Sequence, residues 1–259
     1  MNLPMPSVTT IIITKNEFHN IEDCINSVLW TDEIIIIDSG STDGTQELCK
    51  KIFPKVKLYD MDWPGYGEQK NRAIALATSE WLLFLDADER ITVELKEEIL
   101  QKLNEKEEHI SVYKMPRQNY FLGKALRHCC GKDDRRSTRL VKNGCCSFSP
   151  DIVHERIITH GRSANMRSCF HHFSYGNLEG LINKMNKYSS LSSIKLIQQN
   201  KKSSFAKTLV KASWAFFRIY ILRLGFLDGW PGFIIAFSGF EETFYKYAKL
   251  VELSKNKQK

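Results

Sequence analysis

WLLFLDADER, residues Trp81 to Arg90, is the stretch on which the fold turns. Five apolar residues in a row, Trp81 to Leu85, have the length and content of a strand buried on both faces, the kind found in parallel sheets. The run stops at Asp86-Ala87-Asp88, with Glu89 next. Carboxylates at the mouth of a buried strand are costly unless a cation meets them. A divalent metal carrying a phosphate ligand answers that need, because hard cations take carboxylate oxygens together with substrate phosphates. A plain strand-to-loop turn that uses Asp is the alternative, and the neighbouring segments decide between them.

Working back from that stretch, Val8 to Ile13 (VTTIII) reads as a β-branched strand ending in Thr14-Lys15-Asn16-Glu17. A helix is expected from Asn20, with Ile21, Ile25, Val28 and Leu29 on one face. Ile34 to Ile37 is a second buried strand, closed by Asp38 and the turn Ser39-Gly40-Ser41-Thr42-Asp43-Gly44-Thr45. A short helix over Gln46 to Phe53, a strand over Val56 to Tyr59, the loop Trp63-Pro64-Gly65-Tyr66-Gly67 and a helix over Glu68 to Thr78 lead into Trp81. The order β-α-β-α-β-α-β predicts a mainly parallel sheet with helices on both faces. Ligands of such sheets bind beyond the carboxyl ends of the strands. Thr14 to Glu17, Asp38 and Asp86-Asp88 all fall at such ends. A dinucleotide-binding Rossmann domain would need G-x-G-x-x-G where this chain has Thr-Lys-Asn-Glu, and no G-x-x-x-x-G-K-[ST] is present. Asp38 can accept hydrogen bonds from a ribose or a base, or cap its own turn. Lys70 can meet a phosphate or Asp86, or lie on a solvated helix face. Together these residues describe a nucleotide-diphosphate site.

VTTIIITKNE, IIIIDSGSTDGT and FLDADE, in this order and spacing, resemble the family 2 glycosyltransferases of GT-A fold. WPGYGEQKN at 63–71, DIVHER at 151–156, HHFSY at 171–175 and GFLDGWPG at 225–232 are similar to bacterial lipopolysaccharide core β-1,4-glucosyltransferases, which add glucose to the first heptose of the inner core. The resemblance implies an inverting transfer of a hexose from a UDP-sugar, with UDP-glucose the expected donor. It implies that Thr14, Glu17 and Asp38 hold the uridine, with Asn16 also among the donor-binding residues. Lys70 and Asp86 would lie near the ribose and diphosphate, and Asp88 would bind Mg²⁺ or Mn²⁺.

Beyond Glu89, an amphipathic helix is expected over Thr92 to Leu103 and a strand over Ile110 to Met115. Lys132 to Lys142 is dense in charge, and its Arg139 can bind a phosphate of donor or acceptor, or stay solvated. Pro150 to Arg156 is a second chemical cluster. A direct displacement needs one base to take the acceptor hydroxyl proton. Glu155 is the candidate, with Asp151 in reserve. His154 is a candidate third metal ligand, and His171 or His172 can fill that role instead.

The net charge of +7 is unevenly placed: residues 201–259 carry 11 Lys and Arg against four Asp and Glu, whereas residues 1–200 are balanced. A nucleic-acid-binding domain would carry its charge differently, so nucleic acid is excluded as a partner. Domain limits of 1–200 for the catalytic GT-A domain and 201–259 for a basic helical extension are expected. In that extension Lys207, Lys211, Arg218 and Arg223 interrupt the apolar run Phe205 to Leu227, which argues against a transmembrane span. A helix lying at headgroup level fits better, with Trp214, Phe216, Phe217 and Tyr220 as interfacial aromatics. A helical cap or a dimer interface is the other reading of those aromatics. Gly225 to Gly232 is expected to break the helix, and a last one to run from Glu241 to Leu253. Met1 to Ser7 does not read as an apolar leader, and the seven cysteines include no C-x-x-C pair. A cytoplasmic chain with reduced thiols is expected, peripheral on the inner face of the membrane, where a lipid-linked phosphorylated saccharide would be its acceptor. Cys129-Cys130 and Cys145-Cys146, with His128, suit zinc poorly and read as plain thiols. Transfer to a polyprenyl phosphate would call for transmembrane pairs. A non-catalytic nucleotide-sugar-binding module would not need Asp86, Asp88 and Glu155 together.

Overall fold

A computed structural model of the chain describes residues 5–54, 56–105, 109–129, 132–149 and 156–256. The elements, in chain order, are β1 (Val8–Thr14), α1 (Phe18–Asn26), β2 (Glu33–Asp38), α2 (Thr45–Ile52), β3 (Val56–Asp60), α3 (Tyr66–Leu76), β4 (Trp81–Asp86), β5 (Glu89–Arg90) and α4 (Val93–Glu105). They continue with β6 (Ile110–Phe121), β7 (Lys124–Ala125), β8 (Lys132–Lys142), β9 (Cys146–Phe148), β10 (Ile157–Thr159), β11 (Arg162–Asn165) and β12 (Phe170–Tyr175). Three long helices follow: α5 (Leu178–Gln198), α6 (Phe205–Phe217) and α7 (Gly229–Asn256).

The main sheet has the order β3-β2-β1-β4-β8-β6-β12-β5. Its first four strands are parallel, as expected, and β8 runs antiparallel to β4, so the sheet is mixed. The two sides of these strands enter two cores. Ile12, Ile36, Leu83 and Leu85 pack with Ile21 and Ile25 of α1 and Leu95 and Ile99 of α4. Ile11, Ile13, Ile35, Ile37, Leu82 and Phe84 pack with Ala73 of α3. Burial on both sides is why these strands read as continuous apolar runs rather than as alternation.

Two local expectations change. The first helix begins at Phe18 behind Glu17, not at Asn20, whose side chain instead donates to Glu17 Oε2 at 2.8 Å. Leu29 leaves the apolar face: the helix ends at Asn26, and Leu29 is 54% exposed while Val28 is buried.

The chain divides into two compact units, residues 1–117 with 133–172, and residues 118–132 with 173–259. The second unit takes in α5, which the sequence reading assigned to the catalytic domain. The small buried face of α5, with Ser189 and Ser193, lies in this unit with α7, and Lys249 of α7 reaches Asn186 Oδ1 (2.7 Å), Ser189 Oγ (2.8 Å) and Ser190 Oγ (2.8 Å). The break at 225–232 is real but shorter in effect, because α7 then runs unbroken to Asn256. Within the break a Cβ on Gly232 would lie 1.9 Å from the Gly225 carbonyl oxygen, so only glycine allows the backbone to cross there. Asp228 accepts the N–H groups of Arg127, His128 and Cys129 at 2.9, 3.1 and 3.0 Å. Burial raises that carboxyl, but these donors more than offset it and hold Asp228 below the ordinary carboxylate range.

Of the four aromatics expected at a surface, Trp214 and Phe217 are exposed and stacked on one another. Phe216 and Tyr220 are instead partly buried, against each other and Phe233 of α7. No single helix among the described residues is long and apolar enough to cross a membrane.

Candidate active site

Strand register builds the rim. Thr14 stands opposite Asp38 on one side of β1, and Ile13 opposite Asp86 on the other. The carboxyl ends of β2, β1 and β4 therefore open at one level, as the sequence pattern requires.

The segment after β1 is bound to the turn after β2. Asn16 adopts a left-handed conformation (φ 56°), its N–H donates to Ser41 Oγ (2.7 Å), and its Oδ1 accepts from Thr42 N–H (2.8 Å). Glu17 N–H donates to Thr45 Oγ1 at 3.0 Å. Asp38 is fully buried and takes the Ser41 N–H (2.7 Å), the Ser41 hydroxyl and the Gln46 amide (2.6 Å). The geometry thus favours turn capping over direct ligand binding for Asp38, and it gives Asn16 a local partner as well. Thr14 Oγ1 differs: it is buried and has no hydrogen-bond partner among the described residues. A buried hydroxyl without a partner costs about 1–3 kcal/mol, which a ligand at this rim would recover.

At the end of β4 the acids meet two cations from the chain. Lys70 Nζ, on α3, lies 3.4 Å from Asp86 Oδ1 and 5.3 Å from the centre of the Phe148 ring. Arg139 Nη2, on β8, lies 3.1 Å from Asp86 Oδ2 and pairs with Glu89, while its guanidinium covers the Phe170 ring at 5.2 Å. Leu83 stands opposite Leu140, so the register of β8 on β4 carries Arg139 to this corner. Burial raises the Asp86 carboxyl, but Lys70 and Arg139 outweigh it and hold the group well below the usual range. Glu89 is fully buried, and burial together with the Asp86 and Asp88 charges pushes it up to about 7 against the pull of Arg139. Arg139 therefore serves as an internal partner of Asp86 and Glu89. Glu89 is the site residue that sequence reasoning passed over. Three acids in four positions, DADE, was the signal that more than one cation had to be near.

Asp88 is left for another partner. Its Oδ2 lies 3.4 Å from His172 Nε2, and the two side chains are about one-fifth exposed or less, 20% and 16%. Pairing of β12 with β5 sets His172 opposite Glu89 and His171 opposite Arg90, so of the two histidines His172 reaches Asp88. Among the described residues no three His, Cys, Asp or Glu side chains form a cation-binding group. A carboxylate oxygen and an imidazole nitrogen at this spacing suit Mg²⁺ or Mn²⁺ if substrate phosphates and water complete the shell. The donor set fits the expected metal.

Asp151, His154 and Glu155 lie outside the described residues. The ends of their segment are held: Asn71 of α3 exchanges two hydrogen bonds with the Phe148 backbone (2.8 and 3.0 Å), and Ser149 exchanges two with Arg156 (2.9 and 3.0 Å). Lys70 covers the Phe148 ring, which places Phe148 beside the Asp86 cluster. Among the described cysteines, Cys24, Cys49 and Cys129 are buried and Cys145, Cys146 and Cys169 are partly exposed, while Cys130 lies outside the described residues.

Residues 9–148 match the family model described as glycosyl transferase family 2. The chain is 31% identical, over 98% of its length and 90% of the relative's, to an uncharacterised glycosyltransferase of Rickettsia prowazekii. It is 30% identical to the lipopolysaccharide core biosynthesis glycosyltransferase LpsC of Rhizobium meliloti, over 96% of this chain and 94% of that one. Among solved structures it resembles S. aureus TarS residues 1–349, with a TM-score of 0.50 at 16% identity, covering 97% of this chain and 92% of that one. That likeness bears on the fold.

Proposed function

Because the chain belongs to glycosyl transferase family 2, we propose that it is an inverting, metal-dependent hexosyltransferase, using a UDP-sugar, UDP-glucose first, to extend the inner-core heptose of lipopolysaccharide. The observation that carries this reading is the division of labour at the end of β4. Lys70 and Arg139 compensate Asp86 and Glu89, and Asp88 pairs with His172 instead, a carboxylate and an imidazole beside one another. The acceptor class is supported by the 30% identity to LpsC.

In this reading Asp88 and His172 hold Mg²⁺ or Mn²⁺, which when bound offsets the charge that builds on the leaving diphosphate. Thr14 Oγ1 and the neighbouring Asn16 and Glu17 face the nucleoside, with Asp38 shaping the turn behind it. Lys70 places a positive charge beside the diphosphate and fixes Asp86. The acceptor hydroxyl oxygen forms the new bond to the anomeric carbon as the bond to the UDP oxygen breaks from the opposite side. Glu155, or Asp151 in its place, takes the hydroxyl proton. The test is to incubate the protein with a panel of UDP-sugars and a truncated core lipopolysaccharide and weigh the product. One added hexose is expected, lost with EDTA and reduced at least a hundredfold in Glu155→Gln, in line with the usual worth of a general base. Transfer by Glu155→Gln at the wild-type rate would remove Glu155 as the base.

The lipid-linked acceptor also calls for a cytoplasmic enzyme peripheral on the inner membrane face. Support comes from the second unit, where Phe205, Val210, Trp214, Phe217, Ile221 and Leu222 are exposed beside exposed Lys207, Lys211, Arg218 and Arg223. Apolar surface edged by cations suits anionic headgroups. Trp214→Glu with Phe217→Glu is expected to abolish sedimentation with anionic vesicles while leaving the melting temperature near wild type. Unchanged sedimentation would show that this surface is not the anchor.

A further inference from the structure

We infer that the second unit carries a binding site for a phosphate group on the acceptor saccharide, built from Lys124, Arg127 and Trp230. The inference rests on the acceptor reading above. It gives a role to Gly225-Phe226-Leu227-Asp228-Gly229-Trp230, a stretch that the donor site does not use, and every residue in it belongs to one unit.

The cations come from the hairpin between β6 and β7, where Phe121 pairs with Lys124. Its apolar side chains go inward: Phe121, Leu126 and Cys129 are buried with Leu181 and pack against Ile219, Ile234 and Ile235. Lys124, Arg127 and His128 are left exposed. Leu126 N–H donates to the Asn119 carbonyl oxygen at 3.0 Å, and Gln118 Nε2 donates to the Leu126 carbonyl oxygen at 2.5 Å. The stretch is therefore fixed at its midpoint.

Asp228 clasps the next three residues. Its Oδ1 accepts Arg127 N–H (2.9 Å) and His128 Nδ1–H (3.2 Å), and its Oδ2 accepts the N–H groups of His128 (3.1 Å) and Cys129 (3.0 Å). Its side chain is only 4% exposed. Both oxygens are thus spent on the backbone and the imidazole, and the Arg127 guanidinium has no carboxylate partner among the described residues. Gly225 allows the close approach: a Cβ there would lie 3.2 Å from Cys129 Cβ and 2.8 Å from the Ile219 carbonyl oxygen. Two residues beyond Asp228, the half-exposed Trp230 meets Phe121 at 6.5 Å between ring centres. Lys124 Nζ sits 5.4 Å from the centre of the same indole, close enough for the ring to hold the ammonium. The 225–230 stretch therefore grips the hairpin at 124 and again at 127–129.

The result is an ammonium and a guanidinium on one short, rigid segment with an exposed indole beside them. A guanidinium fork matches phosphate oxygens in pairs, and an ammonium adds a point charge. The indole offers an apolar face for a sugar ring carrying that phosphate. Attraction to anionic headgroups needs only cations near a surface, with no fixed geometry. Here a buried carboxylate and a glycine crossing hold the cations in place, which suits one discrete anionic ligand.

Titration calorimetry on the full chain, with UDP and Mn²⁺ present, tests this. The probes are a deacylated truncated core saccharide with its phosphates and the same saccharide after phosphatase treatment. Lys124→Gln/Arg127→Gln is expected to weaken binding of the phosphorylated saccharide roughly tenfold or more, the usual worth of hydrogen bonds to a charged group. Phosphatase treatment should weaken binding to the wild type by a similar factor and leave binding to the variant unmoved. In transfer assays the loss should appear in KM. Both positions are exposed, so the melting temperature and the affinity for UDP should stay at wild-type values. Equal affinity of wild type and variant for the phosphorylated saccharide overturns the site and leaves the acceptor reading standing. A variant that loses only its sedimentation with anionic vesicles also overturns it, by making these cations headgroup contacts. A wild type that binds UDP but neither saccharide removes the acceptor reading and the site with it.

Discussion

Asp88→Ala is expected to lower kcat by about three orders of magnitude, since a bound cation contributes several kcal/mol to stabilising a leaving diphosphate. Its effect on stability should be near zero or slightly favourable. Asp88 stands beside Asp86 and Glu89, and its charge helps push Glu89 up. Its ion-pair partner among the described residues is His172, at 3.4 Å. Removing it relieves repulsion and leaves no buried group unpaired, so the melting temperature should move by no more than about 2 °C. A residue that costs stability unliganded yet is held at the site is best explained by what it binds. His172→Ala should act through the same ion with a smaller loss, about 10- to 100-fold, because an imidazole adds no charge to the site. Mn²⁺ titration of the UDP complex checks the cause: both variants should show weakened metal binding. Near-wild-type turnover in Asp88→Ala would end the metal assignment.

The parts of this molecule legible in the sequence are those whose burial is written in the segment itself. VTTIIIT, EIIIID and WLLFLD are covered on both faces by α1, α3 and α4, so each announces a strand without help from the rest of the chain. β8 does not. KDDRRSTRLVK becomes a strand because Leu140, Val141 and Lys142 pair with β4, and nothing in its own charge pattern says so. For the same reason the partnership of Arg139 with Asp86 and Glu89 was not readable: it joins positions about 50 residues apart through that register. The sequence pattern places a last helix at Glu241 to Leu253, whereas α7 runs from Gly229 to Asn256. The helix passes through Gly239, where a Cβ would sit 2.6 Å from the Ile219 side chain. Asp38 is the opposite case. Its ligands Ser41 and Gln46 are local, so the capping role was available from the sequence, but its place at a strand end drew the reading toward the ligand.

Arg139→Met is expected to destabilise the protein by about 3–5 kcal/mol toward pH 9, where Glu89 is driven to ionise, because it removes one member of a buried ion pair and leaves the other. The charge left behind is Glu89, wholly buried, whose Oε2 also accepts the Asp86 N–H at 3.1 Å and so cannot swing away without breaking the turn. Asp86 suffers less, since Lys70 remains and its side chain is 40% exposed. The pH dependence identifies the cause. Glu89 is raised from an ordinary 4.5 to about 7 in the folded protein. A raised carboxyl contributes stability that is complete below its unfolded pKa and lost as pH rises through its folded pKa. In the wild type that loss runs from about 4.5 to 7 and then stops. Without Arg139 the folded pKa climbs further, so the loss continues above pH 7. Urea unfolding should therefore show a deficit nearly constant from pH 5 to 7 that widens toward pH 9. Asp86 works in the other direction, its lowered pKa adding stability that disappears only as pH falls below about 4, outside this window. Glu89→Leu combined with Arg139→Met should recover most of the lost stability and flatten the profile, as apolar replacement of a whole buried pair commonly does. A deficit independent of pH, or no recovery in the double variant, would mean that Arg139 acts by packing on Phe170 and that the charge cluster is not what holds the corner of the site.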